Sequence, residues 1–188
     1  LHGALLKNEQ DVHLFERLPK VAQAVEAGAP AAAAAVARAR PLVGVIRNAR
    51  SHRNHGQPPP SSGELAELIV ALPKLRSELP AIIAGFAARQ VDFIVIDGGD
   101  GTVRDVLTCG AGIYGEDWPV LIVVPRGKTN ALALDLGLAQ DWSLDQALAA
   151  AMRGSMVTRH PLVVAERADD RAQVRGFVVG AGAFTRAI

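Results

Sequence analysis

The stretch that decides the fold of this chain runs from Val91 to Thr102 and reads Val-Asp-Phe-Ile-Val-Ile-Asp-Gly-Gly-Asp-Gly-Thr. Its apolar part, residues 93–96, is short, rich in β-branched residues and bounded by polar and glycine residues. That pattern predicts a buried strand of a parallel sheet. A helical pattern begins at Thr102, so three glycines and one aspartate stand between a strand and a helix.

A glycine turn between the end of a strand and the start of a helix is where α/β sheets bind phosphates. Backbone N–H groups point outward, no side chain blocks the ligand, and the helix dipole favours an anion. Asp100 stands in the middle of this turn and argues against a bare anion cradle, because a carboxylate repels phosphate. We expect Asp100 either to hold Mg²⁺ or to take a proton from a hydroxyl that attacks phosphorus. The alternative is a turn that only lets a helix pack on the sheet.

The turn also carries a family resemblance. The residues Gly98-Gly99-Asp100-Gly101-Thr102 resemble the GGDGT motif of diacylglycerol-kinase-type lipid kinases, sphingosine kinases and, more remotely, NAD kinases. The motif follows a predicted strand and precedes a predicted helix, which is the context that a phosphate-binding turn needs. The resemblance implies that the three glycines and Thr102 contact the phosphates of ATP, with Asp100 as the catalytic or metal-binding residue.

A second motif follows the strand predicted over residues 120–124. It reads Pro125-Arg126-Gly127-Lys128-Thr129-Asn130 and resembles the Pro-x-Gly-Thr-x-Asn motif of the same lipid kinases, with an apolar helix after it. The resemblance implies that the opposite wall of the nucleotide site is formed by Gly127, Lys128, Thr129 and Asn130.

Two of these residues depart from the family pattern. Lys128 stands where the family usually has Thr, and Thr129 where it usually has Gly. A lysine at a helix start is unfavourable for the helix dipole, by about 0.3–1 kcal/mol. The lysine is explained if a nucleotide phosphate pairs with it, and the alternative is a side chain that extends into solvent.

The first convincing strand, residues 41–46, leads into a basic loop over residues 47–56. Amide, hydroxyl and guanidinium groups in such a loop can close over phosphates, although a solvated basic loop fits the sequence equally well. Lipid kinases carry an Asn-Pro-x-Ser-Gly pattern here, and Asn48 and Ser51 match it while the Pro and the Gly are replaced. The resemblance thus implies nucleotide binding by Asn48 and Ser51.

The helix after the first glycine turn is predicted over residues 102–109. Asp105 occupies a place where the family often has an acidic residue, so it could orient a metal-bound water, cap the turn or be a plain exposed carboxylate. Residues 110–115 match G-x-G-x-x-G, but they follow a helix and not a strand, so the dinucleotide fingerprint is excluded and a loop is predicted. His52 and His55 lack a nearby Cys or third His, which argues against a metal pair.

The other elements follow from periodicity. We predict a short strand at 68–72, a helix at 79–90, and a helix at 141–152 with Ser143 as its N-cap. From Met156 onward the pattern changes to two strands across a polar turn at 168–171, which predicts an antiparallel hairpin.

Composition describes a globular chain without marked charge. Of its 188 residues 49% are hydrophobic, 21% charged and 4% aromatic, and the net charge of +1 gives no argument for nucleic acid as a partner. The single cysteine, Cys109, excludes an internal disulfide and fits a reducing compartment. No uncharged apolar run reaches the ~18 residues of a spanning helix. The chain begins at Leu1, which fits a piece of a longer protein.

These observations predict an α/β fold with a three-layer, Rossmann-like parallel sheet and a short β segment at the C-terminus. Residues 1–40 are predicted to be a helical extension or linker, 41–155 a nucleotide-binding kinase domain, and 156–188 the start of a truncated β-rich acceptor domain. The resemblance implies an ATP- and Mg²⁺-dependent lipid kinase that phosphorylates a lipid hydroxyl such as that of diacylglycerol. We expect it in the cytoplasm, with peripheral contact at the inner membrane face.

Alternatives at this stage are a NAD kinase-like enzyme, a non-catalytic nucleotide-binding domain and a purely structural α/β domain. The Pro-x-Gly-x-x-Asn pattern after the strand predicted at 120–124 favours the lipid kinases over the NAD kinases. If the lipid-binding part lies beyond Ile188, residues 1–188 should bind Mg²⁺–nucleotide weakly and should not phosphorylate lipid alone. The acceptor lipid and the oligomeric state stay open.

Overall fold

The main sheet has four parallel strands in the order β2-β1-β3-β4. The structure, a computed structural model, describes residues 38–165 and 173–177. The strands are β1 (Leu42–Arg47), β2 (Glu67–Ala71), β3 (Phe93–Gly98) and β4 (Val120–Pro125). The predicted α/β fold with a parallel sheet is confirmed, and the strand predicted at 68–72 lies one residue earlier.

Helices cover both faces of this sheet. They are α1 (Leu79–Ala88), preceded by a 3₁₀ turn at Arg76–Glu78, α2 (Asp100–Tyr114), α3 (Ala131–Asp135) and α4 (Leu144–Met152). On one face, α1 and α2 bury Phe86 and Val106 against Ile94 and Ile96 of β3. On the other face, α4 buries Leu148 against the remaining strand side chains. Burial on both faces explains why the strands are continuous apolar runs.

Helix α2 is longer than its sequence pattern predicts. It begins at Asp100 and continues to Tyr114, so the predicted range of 102–109 and the predicted loop at 110–115 are wrong. The reason is packing: a Cβ on Gly110 would lie 2.4 Å from Cη2 of Trp118, so the glycine lets an indole ring press on the helix. The helix ends at Gly115, whose φ of +57° is readily adopted by glycine.

The predicted antiparallel hairpin is confirmed as β5 (Leu162–Ala165) paired with β6 (Gln173–Gly176). It begins later than predicted, because residues 156–161 form no strand. The hairpin is joined to α2 through Thr108, whose Oγ1 accepts from the Arg175 N–H at 3.0 Å. The predicted turn at 168–171 and nearly all of the predicted extension at 1–40 lie outside the described residues.

Candidate nucleotide site

The two glycine turns meet at the carboxyl edge of the parallel sheet. The Arg126 N–H donates to the Gly98 carbonyl at 3.0 Å, which holds the turn after β4 against the turn after β3. A Cβ on Gly99 would lie 2.9 Å from the Cα of Gly127, so the two backbones touch. Only glycine allows this approach without displacing one turn. The structure thus brings together the two motifs that the sequence placed in one site.

Asp100 caps helix α3, which starts 31 residues further along the chain. Its Oδ2 accepts from the Ala131 N–H at 2.9 Å, and its Oδ1 accepts from the Leu132 N–H at 3.1 Å. These are the first N–H groups of α3, which have no partner inside their own helix. Asp100 is also the first residue of α2, where a carboxylate is favoured by the helix dipole. No residue near Asp100 in the sequence indicates this capping role.

Asn130 holds the second glycine turn in its own shape. It is 2% exposed and has a φ of +52°, a left-handed conformation that asparagine tolerates better than most residues. Its Oδ1 accepts from the Gly127 N–H at 2.7 Å, while its Nδ2 donates to the Gly127 carbonyl and to Oε1 of Gln140, both at 3.0 Å. The side-chain amide of Asn130 is therefore engaged within the protein.

Lys128 and Thr129 lie exposed on the same turn. Helix α3 begins only at Ala131, so Lys128 stands before the helix. The unfavourable dipole interaction expected for a lysine at the helix start therefore does not arise.

The loop after β1 reaches the first glycine turn through Asn48. Its Nδ2 donates to Oγ1 of Thr102 at 3.0 Å, and its Oδ1 accepts from the Arg50 N–H at 3.0 Å. Ser51 is buried at 9% exposure, and its carbonyl accepts from the Asn54 N–H at 2.9 Å. Asn48 thus lies beside Thr102, while Ser51 sits inside the loop that follows β1.

A buried ionic cluster behind the turns was missed by the sequence analysis. Asp97, 4% exposed, pairs through Oδ2 with Nη1 of Arg47 at 2.6 Å and through Oδ1 with Nε of Arg126 at 3.3 Å. Asn54 donates from Nδ2 to the same Oδ1 at 3.2 Å. The sequence places Arg47 at the end of one strand and Asp97 just before the end of another, and the register sets the two side by side on neighbouring strands. Two guanidinium groups share one carboxylate, so the cluster carries a net positive charge.

Asp105 is buried and ion-paired, so its reading as a plain exposed carboxylate is wrong. Its Oδ1 lies 2.9 Å from Nη2 of Arg104 and 3.4 Å from Nε of Arg76. The nearby Cys109 thiol has a pKa above its ordinary value because burial disfavours the thiolate, although Arg76 opposes the shift. Burial also raises the pKa of Tyr114, at the end of the same helix, to about 12.

Residues 64–162 match the family model described as the diacylglycerol kinase catalytic domain, which is more than half of the chain. The chain belongs to this family. Asn48 and Ser51 precede the matched range, whereas both glycine turns lie inside it.

Relatives of this kinase domain are found among lipid kinases. It is 34% identical over 81 residues to the protein named Probable lipid kinase YegS in Escherichia coli O1:K1 and in Escherichia coli strain SMS-3-5. The match covers 39% of this chain and 26% of each relative, so the chain spans about a quarter of the curated relatives it matches. A crystal structure of a diacylglycerol kinase from Bacillus anthracis strain Sterne is 21% identical, with a TM-score of 0.43 over 69% of this chain and 43% of that one.

Kinases act on phosphate-bearing nucleotides, and the residues at the two glycine turns fit a phosphate group. The two turns meet through the backbones of Gly99 and Gly127, and the cation Arg126 lies on the second turn beside Gly127. Asp97 is already shared by two arginines, which leaves Asp100 as the carboxylate at the turns. Mg²⁺ is commonly held by one or two carboxylates together with substrate phosphates. No group of three His, Cys, Asp or Glu residues able to hold a metal ion occurs in the described ranges.

None of the helices in the described part of the chain is long and apolar enough to cross a membrane.

Proposed function

We propose that the carboxyl edge of the sheet binds Mg²⁺–ATP, and that the chain is the nucleotide-binding part of a lipid kinase. The whole protein would transfer the γ-phosphoryl group of ATP to a lipid hydroxyl such as that of diacylglycerol. The observation that carries this proposal is the contact of the two glycine turns at Gly99 and Gly127, which brings both motifs together at the carboxyl edge of the sheet, where helix α2 starts.

Residue roles follow from position on this edge. The first wall consists of the glycines around Asp100 together with Thr102, and the second wall consists of the turn from Gly127 to Asn130. Lys128 and Thr129 are the exposed members of the second wall, while Asn130 maintains its shape. Asn48 and Ser51 would close the site from the loop after β1, since Asn48 already bonds Thr102.

Phosphoryl transfer demands positioning and charge neutralisation more than covalent chemistry from the protein. The glycine turns would fix the phosphate chain in one orientation, and nearby cations would offset its charge. Bound Mg²⁺ would neutralise charge on the β- and γ-phosphates. Asp100 is the residue that would hold the metal or accept the proton of the attacking hydroxyl, since each of its oxygens retains a lone pair beside its backbone bond.

The two substrates would be bound by different parts of the chain. Residues 41–155 would bind the nucleotide, and residues 156–188 would begin a β-rich part that binds the acceptor lipid. A cytoplasmic protein that touches the inner membrane face would meet both substrates. On this view residues 1–188 bind ATP but do not phosphorylate lipid, and lipid phosphorylation by this chain alone would contradict that division.

Calorimetric titration of ATP, with and without Mg²⁺, tests the nucleotide site. We expect saturable binding that needs Mg²⁺ and that weakens about tenfold or more in Asp100→Ala, because a charge-assisted contact is worth about 1.5–3 kcal/mol. Asp117→Ala is the matched control, since Asp117 is exposed in the loop after α2. Absence of ATP binding to the wild-type chain would refute the proposal.

A nucleotide-binding domain without catalysis is the second candidate. It is favoured by the capping role of Asp100, because both carboxylate oxygens already accept backbone N–H groups. In that case ATP would bind equally well with and without Mg²⁺, whereas a lower melting temperature of Asp100→Ala is expected for either function.

A further inference from the structure

Arg126 lies where the segments that follow β1, β3 and β4 are joined by hydrogen bonds. It follows β4, its N–H donates to the Gly98 carbonyl at 3.0 Å, and its own carbonyl accepts from the Arg53 N–H at 3.0 Å. Its neighbour Gly127 touches Gly99 of the first turn. The backbone of Arg126 is therefore fixed on both sides, directly beside the contact between the two glycine turns.

A buried carboxylate orients the Arg126 side chain. Its Nε lies 3.3 Å from Oδ1 of Asp97, and Asp97 is itself fixed by Arg47 and Asn54. A guanidinium group has five N–H donors in a rigid planar fork, and this contact uses only the one on Nε. In the described part of the chain, Arg126 has no second carboxylate partner. Its side chain is 24% exposed, so it is partly accessible to a ligand.

The charge on Arg126 is not cancelled locally. Asp97 lies closer to Arg47, at 2.6 Å, than to Arg126, at 3.3 Å. The single negative charge of Asp97 is therefore shared by two arginines. The only other carboxylate of the turns, Asp100, accepts from the start of α3. A planar fork that is already oriented loses little freedom on binding and matches phosphate oxygens in a bidentate manner.

We propose that Arg126 binds a phosphate group of the nucleotide and that Asp97 is a positioning residue that directs its guanidinium toward the turns. The inference rests on the proposed nucleotide site and adds to it the residue that recognises the phosphate chain. It also ranks the two cations of the turn. Lys128 is exposed and has no orienting partner within the described residues. Lys128 therefore contributes less to ATP affinity than Arg126, because ordering its flexible side chain costs more entropy.

Calorimetric titrations of ATP, ADP, AMP and adenosine test this ranking. Arg126→Ala is expected to weaken ATP binding by about ten- to hundredfold, the range for a lost charge-assisted contact, and to leave adenosine binding unchanged. Lys128→Ala is the matched control and should weaken ATP binding less than Arg126→Ala does. Arg126→Lys keeps the charge but loses the fork, so its ATP affinity should lie between those of the wild type and Arg126→Ala.

The positioning role of Asp97 has a separate test. Asp97→Asn keeps an oxygen acceptor in a side chain of similar size but removes the charge that directs Arg126. We expect weaker ATP binding with unchanged adenosine binding, and no further loss when Arg126→Ala is added to Asp97→Asn. A merely structural role of Asp97 would lower the affinities for ATP and adenosine together, and would overturn the positioning role.

Two results would overturn the phosphate role of Arg126. One is an ATP affinity of Arg126→Ala equal to that of the wild type, which would leave the proposed nucleotide site intact. The other is an equal loss of ATP and adenosine affinity in Arg126→Ala, which would make Arg126 a structural residue. Failure of the wild-type chain to bind any of the four ligands would instead remove the proposed function together with this inference.

Discussion

Helices α3 and α4 start in opposite ways. At α4, Oγ of Ser143 accepts from the Gln146 N–H at 3.2 Å and Oε1 of Gln146 accepts from the Ser143 N–H at 2.9 Å, which is a complete capping box within four residues. At α3, the preceding residue Asn130 is left-handed and its side chain does not cap the helix. The cap comes from Asp100, on another helix.

The cap of α4 is formed by residues next to the helix in the chain, whereas the cap of α3 depends on a tertiary contact. The capping box of α4 needs only its own residues, so α4 can begin in the same place wherever it packs. A helix of five residues such as α3 is too short to be stable alone, so its start depends on the neighbouring turn. The proposed nucleotide site is therefore built around a helix whose position is set by Asp100.

The contact between the two glycine turns gives the largest expected effect. In Gly127→Ala the new Cβ would lie 2.8 Å from the Gly99 Cα and 2.8 Å from Oδ1 of Asn130. Because a backbone atom cannot move aside like a side chain, we expect a loss of about 1–3 kcal/mol in the free energy of unfolding, measured in urea. ATP affinity should fall as well.

Gly85→Ala is the matched control for this substitution. Gly85 is exposed inside α1, and nothing lies within 4 Å of a Cβ placed there. The same added methyl group should raise the free energy of unfolding by about 0.5–1 kcal/mol, because alanine favours a helix interior over glycine. Equal effects of the two substitutions would contradict the close contact of the turns.

Removing Asp100, which caps α3 from another helix, should have the next largest effect on stability. Asp100→Ala leaves the N–H groups of Ala131 and Leu132 without acceptors, and loss of a cap costs about 0.5–2 kcal/mol. We expect lower thermal stability and faster amide hydrogen exchange at residues 131–135. An unchanged exchange rate at α3 would show that the cap is unimportant for the helix.

Removing the local cap should have a smaller and more confined effect. Ser143→Ala is expected to cost about 1 kcal/mol of stability and to speed hydrogen exchange in α4. Because α4 covers the sheet face opposite α1 and α2, ATP affinity should not change. A loss of ATP affinity similar to that of Asp100→Ala would mean that the two helix starts are coupled to the site in the same way.

Elements with local signals were predictable, and those built by packing were not. The strand before the first glycine turn has an apolar run with clear boundaries, and Ser143 has its partner three residues away, so both predictions were confirmed. The end of α2 was predicted wrongly because Gly110 reads as a loop residue until Trp118 is placed against it. Asp105 was ambiguous because its partner Arg76 is distant in sequence.

In the candidate site, too, the local motifs were predictable and the tertiary contacts were not. Its two motifs were recognised, and the parallel sheet explains why they share one edge, since parallel strands end on the same side. The sequence did not reveal that Asp100 caps α3, that Asn130 holds its own turn, or that Asp97 joins Arg47 and Arg126.

The sequence by itself determined the parallel α/β sheet, the glycine turns and the local cap of α4. Each of these depends on residues close together in the chain, where period, steric freedom and short-range hydrogen bonds act. Only the tertiary structure decided what each carboxylate of the site holds: Asp97 pairs with Arg47 and Arg126, and Asp100 caps α3. That outcome depends on contacts between strand ends, such as Arg47 with Asp97, that are fifty residues apart in the chain and become neighbours only when the sheet forms.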